Sequence, residues 1–172
     1  SPLQKGLAWA RTWLPWPFVP SSIPSTAVIL FTSGSESRPK AVPLTHENIL
    51  RNLRDVLSRV RMHPTDILLG MLPPFHSYGM STNVVLPLCA GLPCVYYPNP
   101  TQGRALAKTA AAYGVTVILA TPTFLSSILR SAGPNDLRTL RLAITGAEKC
   151  PDSLYAAFQR HWPSVTILEG YG

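Results

Sequence analysis

The sequence predicts an α/β fold: a mostly parallel sheet with helices on both faces. Three observations lead there. Short apolar runs recur along the chain, several continuous enough for strands buried on both sides. Segments of helical periodicity lie between them. Those segments open and close on recognisable capping residues. Right-handed crossovers between parallel strands then place helices on both faces of the sheet.

The elements follow in order. Residues 3–14 present Leu3, Leu7 and Ala10 on one face and predict a short helix. Pro15, Pro17, Pro20 and Pro24 then impose an extended connector, because proline fixes φ and lacks an N–H. Trp13, Trp16 and Phe18 give that connector an apolar side that lies on a surface. Residues 1–25 therefore precede the main unit, 26–172. Ala27 to Phe31 reads as a strand buried on both faces. Further strands are expected at Ile67–Leu72, Cys94–Tyr97, Val115–Ala120, Leu142–Thr145 and Val165–Leu168.

Thr45 is a good N-cap for a helix with Ile49, Leu53, Val56, Leu57 and Val60 on one face. The opposite face carries Glu47–Arg51 and Asp55–Arg59 at i, i+4 spacing. A second helix follows His76 and ends near Ala90-Gly91. A third runs from Thr101 to Tyr113, closed by Gly114. A fourth opens on Thr121-Pro122 and a fifth on Cys150-Pro151, each with Pro at the first helical turn.

Composition narrows the function classes. Hydrophobic residues make up 46% of the 172 and charged residues 13%, a balance that supports a core and excludes bulk disorder. The low charge and mean hydropathy of +0.15 imply surface that other parts of a longer chain cover. No apolar run is long enough to span a bilayer, and no signal-peptide pattern opens the chain. The net charge is +7, but the basic residues are dispersed and accompany no nucleic-acid motif, so nucleic acid is not an expected partner. Cys89, Cys94 and Cys150 are odd in number and irregular in spacing. They fit reduced, buried thiols of a cytoplasmic protein and neither a disulfide framework nor a zinc site.

In parallel sheets, ligands sit beyond the C-terminal strand ends. That rule directs attention to Thr32–Lys40, Pro73–Gly79, Gly146–Glu148 and Glu169–Gly172. The first is the most informative. Thr32, Ser33, Gly34, Ser35, Glu36 and Ser37 concentrate small hydroxyl and amide donors, and Lys40 adds a positive charge. Such convergence suits phosphate groups. It is not a Walker A loop, since Ala41-Val42-Pro43-Leu44 continues as an extended strand and the loop joins two strands as a hairpin. A ligand-free serine-rich turn is the alternative on these residues alone.

The segment resembles the Thr-Ser-Gly-Ser/Thr-Thr/Glu-Gly-x-Pro-Lys-Gly-Val signature of the adenylate-forming superfamily. Thr32, Ser33, Gly34, Ser35, Pro39, Lys40 and Val42 match it, and Ser37 and Ala41 stand where that family has glycine. Further resemblances follow in the family's order. They are Thr45-His46-Glu47-Asn48-Ile49, Pro73-Pro74-Phe75-His76-Ser77-Tyr78-Gly79, and Gly114-Val115-Thr116 with Thr121-Pro122-Thr123. Gly146-Ala147-Glu148-Lys149 and Glu169-Gly170-Tyr171-Gly172 complete the series.

The resemblance implies part of the large N-terminal domain of an acyl-adenylate-forming ligase. Such an enzyme joins a carboxylic acid to ATP, releases pyrophosphate, and passes the acyl group to the thiol of CoA or acyl carrier protein. It implies that Thr32 to Ser37 cradle the β- and γ-phosphates, with Lys40 supporting the loop or those phosphates. It places His76 near the reacting carboxylate; the alternative is a histidine that caps the following helix. It places Gly146, Ala147 and Glu148 beside adenine, and Tyr171 stacked on adenine between Gly170 and Gly172. It implies Mg2+ held by a glutamate that this family carries just after the last residue here, so no metal ligand is expected within the chain. The C-terminal domain is likewise expected elsewhere, and the chain alone is expected to turn over little.

The loop's Ser-Glu variant and the Gly-Ala-Glu-Lys segment are most similar to long-chain acyl-carrier-protein or acyl-CoA synthetases, which implies a fatty acid. Membrane association of the longer protein stays open, and exposed sheet edges favour self-association of this chain. Two other readings compete. A non-catalytic nucleotide-binding module of the same fold is favoured by Ser37 and Ala41; a serine hydrolase lacks its Gly-x-Ser-x-Gly elbow.

Overall fold

The computed structural model describes residues 22–32 and 39–170. The helix expected over residues 3–14, most of the proline-rich connector, Ser33 to Ser37, Tyr171 and Gly172 lie outside them. Five strands form a parallel sheet: β3 (Leu68–Gly70), β4 (Cys94–Tyr96), β5 (Val117–Ala120), β6 (Leu142–Thr145) and β7 (Thr166–Glu169). Their order is β4-β3-β5-β6-β7. The chain steps to one side of β3 and then crosses back to the other, so the order reverses between β3 and β5. In open sheets that reversal opens a crevice at the C-terminal strand ends.

Helices cover both faces, as the continuous apolar strands require. Leu69, Ile118 and Ala143 pack against α3 (Gly103–Tyr113), α4 (Pro122–Ser131) and α5 (Asp152–His161), with Leu106, Leu125, Ile128 and Phe158 at the centre. The alternate residues Leu68, Val117, Leu119 and Leu142 face the other way. There they meet Leu53 of α1 (His46–Arg59) and Leu86 of a helical run, α2, built from Ser77–Gly79, Met80–Val85 and Leu86–Ala90. Each fully buried aliphatic side chain of this kind stabilises the fold by about 1.5–3 kcal/mol.

The expected caps form. Thr45 Oγ1 accepts the Asn48 N–H at 3.1 Å, and Asn48 Oδ1 accepts the Thr45 N–H at 3.0 Å, a reciprocal capping box. Gly91 and Gly114 close α2 and α3 in the left-handed conformation. Of the two ion pairs expected on α1, Arg51 reaches Glu47 at 3.1 Å, whereas Asp55 and Arg59 do not pair with each other, and the Asp55 backbone carbonyl accepts from Ser58. Both side chains are exposed there, where solvation competes with pairing.

Two expectations need correction. The run Ala27–Phe31 is a strand, β1 (Thr26–Thr32), but it is not buried on both faces. It pairs antiparallel with β2 (Lys40–Thr45) in a separate two-stranded sheet, and Ile29 and Phe31 are 52% and 68% exposed. An apolar run encodes a strand, not the layer that covers it. The loop between them therefore does not crown a parallel strand. The thiols also differ: Cys150 is buried and Cys94 half-buried, but Cys89 is exposed, lying on the outer side of α2.

The N-terminal strand ends are fastened by a buried carboxylate. Asp66, 1% exposed, accepts from the His63 N–H at 2.7 Å, Thr116 Oγ1 at 2.8 Å and Arg141 Nε at 2.7 Å. Arg141 also donates to Asp66 through Nη2 and to the Arg61 carbonyl at 3.0 Å. Burial alone would raise the Asp66 pKa; the Arg141 pairing and the other donors outweigh it and hold the carboxyl at about 2.

Candidate nucleotide site

Three of the four loops singled out by sequence converge at the C-terminal rim of the parallel sheet. After β3 the chain passes Pro73 and turns into α2. Gly79 makes that turn possible, because a Cβ there would lie 2.1 Å from the Pro73 carbonyl oxygen. The glycine of the Pro-x-Phe-His-x-x-Gly segment is thus a close-approach residue. His76 sits at the N-cap of α2, with its carbonyl accepting from Met80 N–H at 2.8 Å. Its imidazole makes no capping bond, is exposed, and lies 4.7 Å from the Phe75 ring centre to centre. The helix-capping alternative for this side chain is therefore not what the fold uses.

Two residues further on, Tyr78 reaches back over the rim. Its hydroxyl donates to the Ile144 carbonyl at 3.2 Å and lies 3.5 Å from the Ala120 carbonyl. Burial pushes its phenol well above the usual tyrosine range, so it stays a neutral donor. The ring packs on Gly146, where a Cβ would come within 3.1 Å of Cζ. The π-helical turns Met80–Val85 are a feature sequence gave no sign of. They are held by Asn83 Nδ2 donating to the Leu72 carbonyl at 2.9 Å and by Tyr96 Oη donating to the Asn83 carbonyl at 2.6 Å.

The ladder extends one residue past β6 and β7. Gly146 N–H donates to Ala120 at 3.3 Å and Gly170 N–H to Thr145 at 2.7 Å, so the two predicted glycines stand side by side on the rim. Beyond Gly146 the chain leaves the sheet abruptly. Ala147 adopts φ +67°, a left-handed conformation unusual for a residue with a Cβ. Glu148 is exposed, but its Oε2 accepts from Thr123 Oγ1 at 2.6 Å. Cys150 N–H donates to Glu169 Oε1 at 3.0 Å and returns the loop to β7.

Thr32 and Lys40 belong to the separate hairpin, where they are register partners at the end joined by the loop and both are exposed. Ala41 pairs with Phe31 in extended backbone. Extended backbone needs no glycine, so that departure from the signature costs the hairpin nothing. Ser33, Gly34, Ser35, Glu36, Ser37, Tyr171 and Gly172 lie outside the described residues. Among the described residues no group of three or more His, Cys, Asp or Glu side chains could hold a metal ion. Sequence reasoning missed Tyr78, Thr123 and Glu169 as site residues, although each lies within a motif quoted above.

Tyr78, Gly146 and Gly170 thus pack together at the C-terminal strand ends of a sheet whose order reverses beside β3, and the exposed His76 lies two residues before Tyr78. The family model described as AMP-binding enzyme matches residues 4–172, and the chain belongs to that family. A 4-coumarate–CoA ligase-like protein of Oryza sativa subsp. japonica is 28% identical over 85% of this chain and 27% of its own length. The mouse long-chain fatty acid transport protein 5 is 30% identical over 90% of this chain and 23% of its own. The chain thus spans about a quarter of these relatives. Among solved structures, the inhibitor-bound N-terminal domain of FACL13 from Mycobacterium tuberculosis superposes with a TM-score of 0.80 at 23% identity, over 98% of this chain and 42% of that one. The O-succinylbenzoate Coenzyme A synthetase of Bacillus subtilis in complex with AMP gives 0.75 at 23%, over 88% and 30%. The fold is that of the N-terminal domains of adenylate-forming enzymes.

Proposed function

We propose that this chain supplies the nucleotide-side core of a ligase that activates a carboxylic acid with ATP. A carboxylate oxygen attacks the α-phosphorus, the bond to the bridging oxygen breaks, and pyrophosphate leaves with its electron pair. A thiolate then attacks the acyl carbon of the adenylate and AMP departs. Both steps depend mainly on positioning and charge. The observation that carries the reading is the meeting of Gly146, Gly170 and the His76 loop at the rim, in a chain matched by the AMP-binding family from residue 4 to its end. Gly146, Ala147 and Glu148 border adenine through backbone. Tyr171 stacks on it, Gly170 and Gly172 let the backbone come close, and His76 faces the carboxylate. Thr32, Ser33, Gly34, Ser35, Glu36, Ser37 and Lys40 take the distal phosphates of Mg2+-bound ATP.

The acid is a fatty acid, and the acceptor is CoA or acyl carrier protein. The loop variant supports this, as does the similarity to a protein named for long-chain fatty acid transport. Turnover by the 172 residues alone is small. ATP–pyrophosphate exchange by the full-length protein, across fatty, aryl and amino acids, tests the reading. Exchange that depends on fatty acids supports it; exchange only with aryl or amino acids removes the substrate assignment, and no exchange with any acid removes the activity. The second reading, a nucleotide-binding module without chemistry, now rests on Ser37 alone, since Ala41 sits comfortably in β2.

A further inference from the structure

The loop Gly146–Lys149 is exposed from Ala147 onward, yet it is pinned from three sides by different βα units. Tyr78 from α2 presses on Gly146 at its start. Glu169 at the end of β7 receives the Cys150 N–H where it returns. Between these anchors lies the one non-glycine residue with positive φ among those described, Ala147, and directly after it the 2.6 Å Thr123–Glu148 bond. A left-handed residue with a Cβ costs on the order of 1 kcal/mol and persists only where its surroundings hold it. The tie next to it is a hydroxyl donating to a carboxylate, among the stronger hydrogen bonds a side chain makes. Thr123 itself is well placed to hold still: it occupies the first turn of α4, whose N-cap Thr121 accepts the Phe124 N–H and whose first residue is Pro122.

We propose that Thr123 and Glu148 are a positioning pair that, with Tyr78, fixes the left-handed turn at Ala147 and so sets the backbone offered to the nucleotide. Glu148 acts through Thr123, and its carboxylate is not a ligand for the nucleotide. This rests on the reading of the rim as the adenine side of the site. It also changes the role expected of Glu148 from binding to support.

The test uses the 172-residue chain, with AMP as probe and two readouts. The first is the intraresidue amide-to-Hα cross-peak of Ala147 by NMR, which is strong only at positive φ. The second is the dissociation constant for AMP. Thr123→Val, which keeps shape and removes the donor, should weaken the cross-peak and reduce AMP affinity about tenfold. Thr123→Ser, which restores the donor, should restore both. Adding Ala147→Gly to Thr123→Val should recover most of the affinity, because glycine takes positive φ without help. Retention of both the cross-peak and the affinity in Thr123→Val overturns the proposal. A wild-type chain that binds no AMP removes the adenine assignment instead, and an unchanged Ala147 cross-peak in Thr123→Val then still overturns the positioning role.

Discussion

The Tyr78 hydroxyl donates to the carbonyl of Ile144, 3.2 Å away, and ties together residues 66 positions apart in the chain. One bond thereby joins the helix that follows His76 to the strand that leads into Gly146. Its loss should be felt in both places. Tyr78→Phe keeps the ring on Gly146 and removes the donor, and should lower stability by about 1 kcal/mol. A urea unfolding series measures it; an unchanged midpoint would show that the ring alone makes the contact.

Gly79 should tolerate no side chain. A Cβ 2.1 Å from the Pro73 carbonyl can be relieved only by moving backbone at the start of α2. Gly79→Ala is expected to cost at least about 1–3 kcal/mol, the range for overpacking. Gly91→Ala is a useful contrast, because nothing lies within 4 Å of its Cβ position and only the φ of +66° is unfavourable. If both variants unfold at the same urea concentration, crowding at Pro73 is not the cause.

Asp66 gives the fold an acid limb. Its carboxyl titrates at about 2 when folded and at 3.8 when unperturbed, so its stabilisation is complete above the latter value and lost as pH falls through the former. The difference amounts to about 2 kcal/mol. Asp66→Asn should flatten that limb. It should also destabilise the neutral protein by about 3 kcal/mol, since Arg141 loses its partner. Unfolding free energies measured across the acid range decide this; a variant with the wild-type slope would assign the limb to other groups.

Lys40 faces Thr32 at the loop end of the β1–β2 hairpin. If that end holds the distal phosphates, Lys40→Ala should weaken Mg-ATP binding about tenfold and leave AMP binding unchanged. Calorimetric titration with both nucleotides measures the difference. Equal weakening of the two would place the lysine near the α-phosphate instead.

The exposed face of the hairpin, with Ile29 and Phe31, is expected to drive self-association of the 172-residue chain. Light scattering on the wild type and on Ile29→Thr/Phe31→Ser should show the variant closer to monomer. Equal masses would point to another surface.

Most of the fold was legible because its signals are local. Thr45, Thr121-Pro122, Gly91 and Gly114 mark helix ends with residues whose chemistry allows few other uses. The runs at 117–120 and 142–145 could be read as buried strands because both faces are apolar. β1 misled for the same reason: periodicity reports side-chain character, and what covers a strand is decided by distant chain. The rim shows the same limit. Glycines 79 and 146 stand out in sequence, but Tyr78 meeting Ile144, and Thr123 meeting Glu148, depend on crossovers that only the assembled sheet defines. The π-helical turns of α2 have no sequence signature at all.

The Asp66 network fastens the sheet at one end, and the loops proposed for chemistry rise from the other. Wear and tuning are thereby separated. Substitutions in the exposed stretch Ala147–Lys149 can alter the surface that the rim presents while the anchorage at Asp66 and Arg141 stays untouched. A lineage built on this plan can edit its loops without disturbing the sheet, much as a lathe changes its cutting tool without recasting the bed.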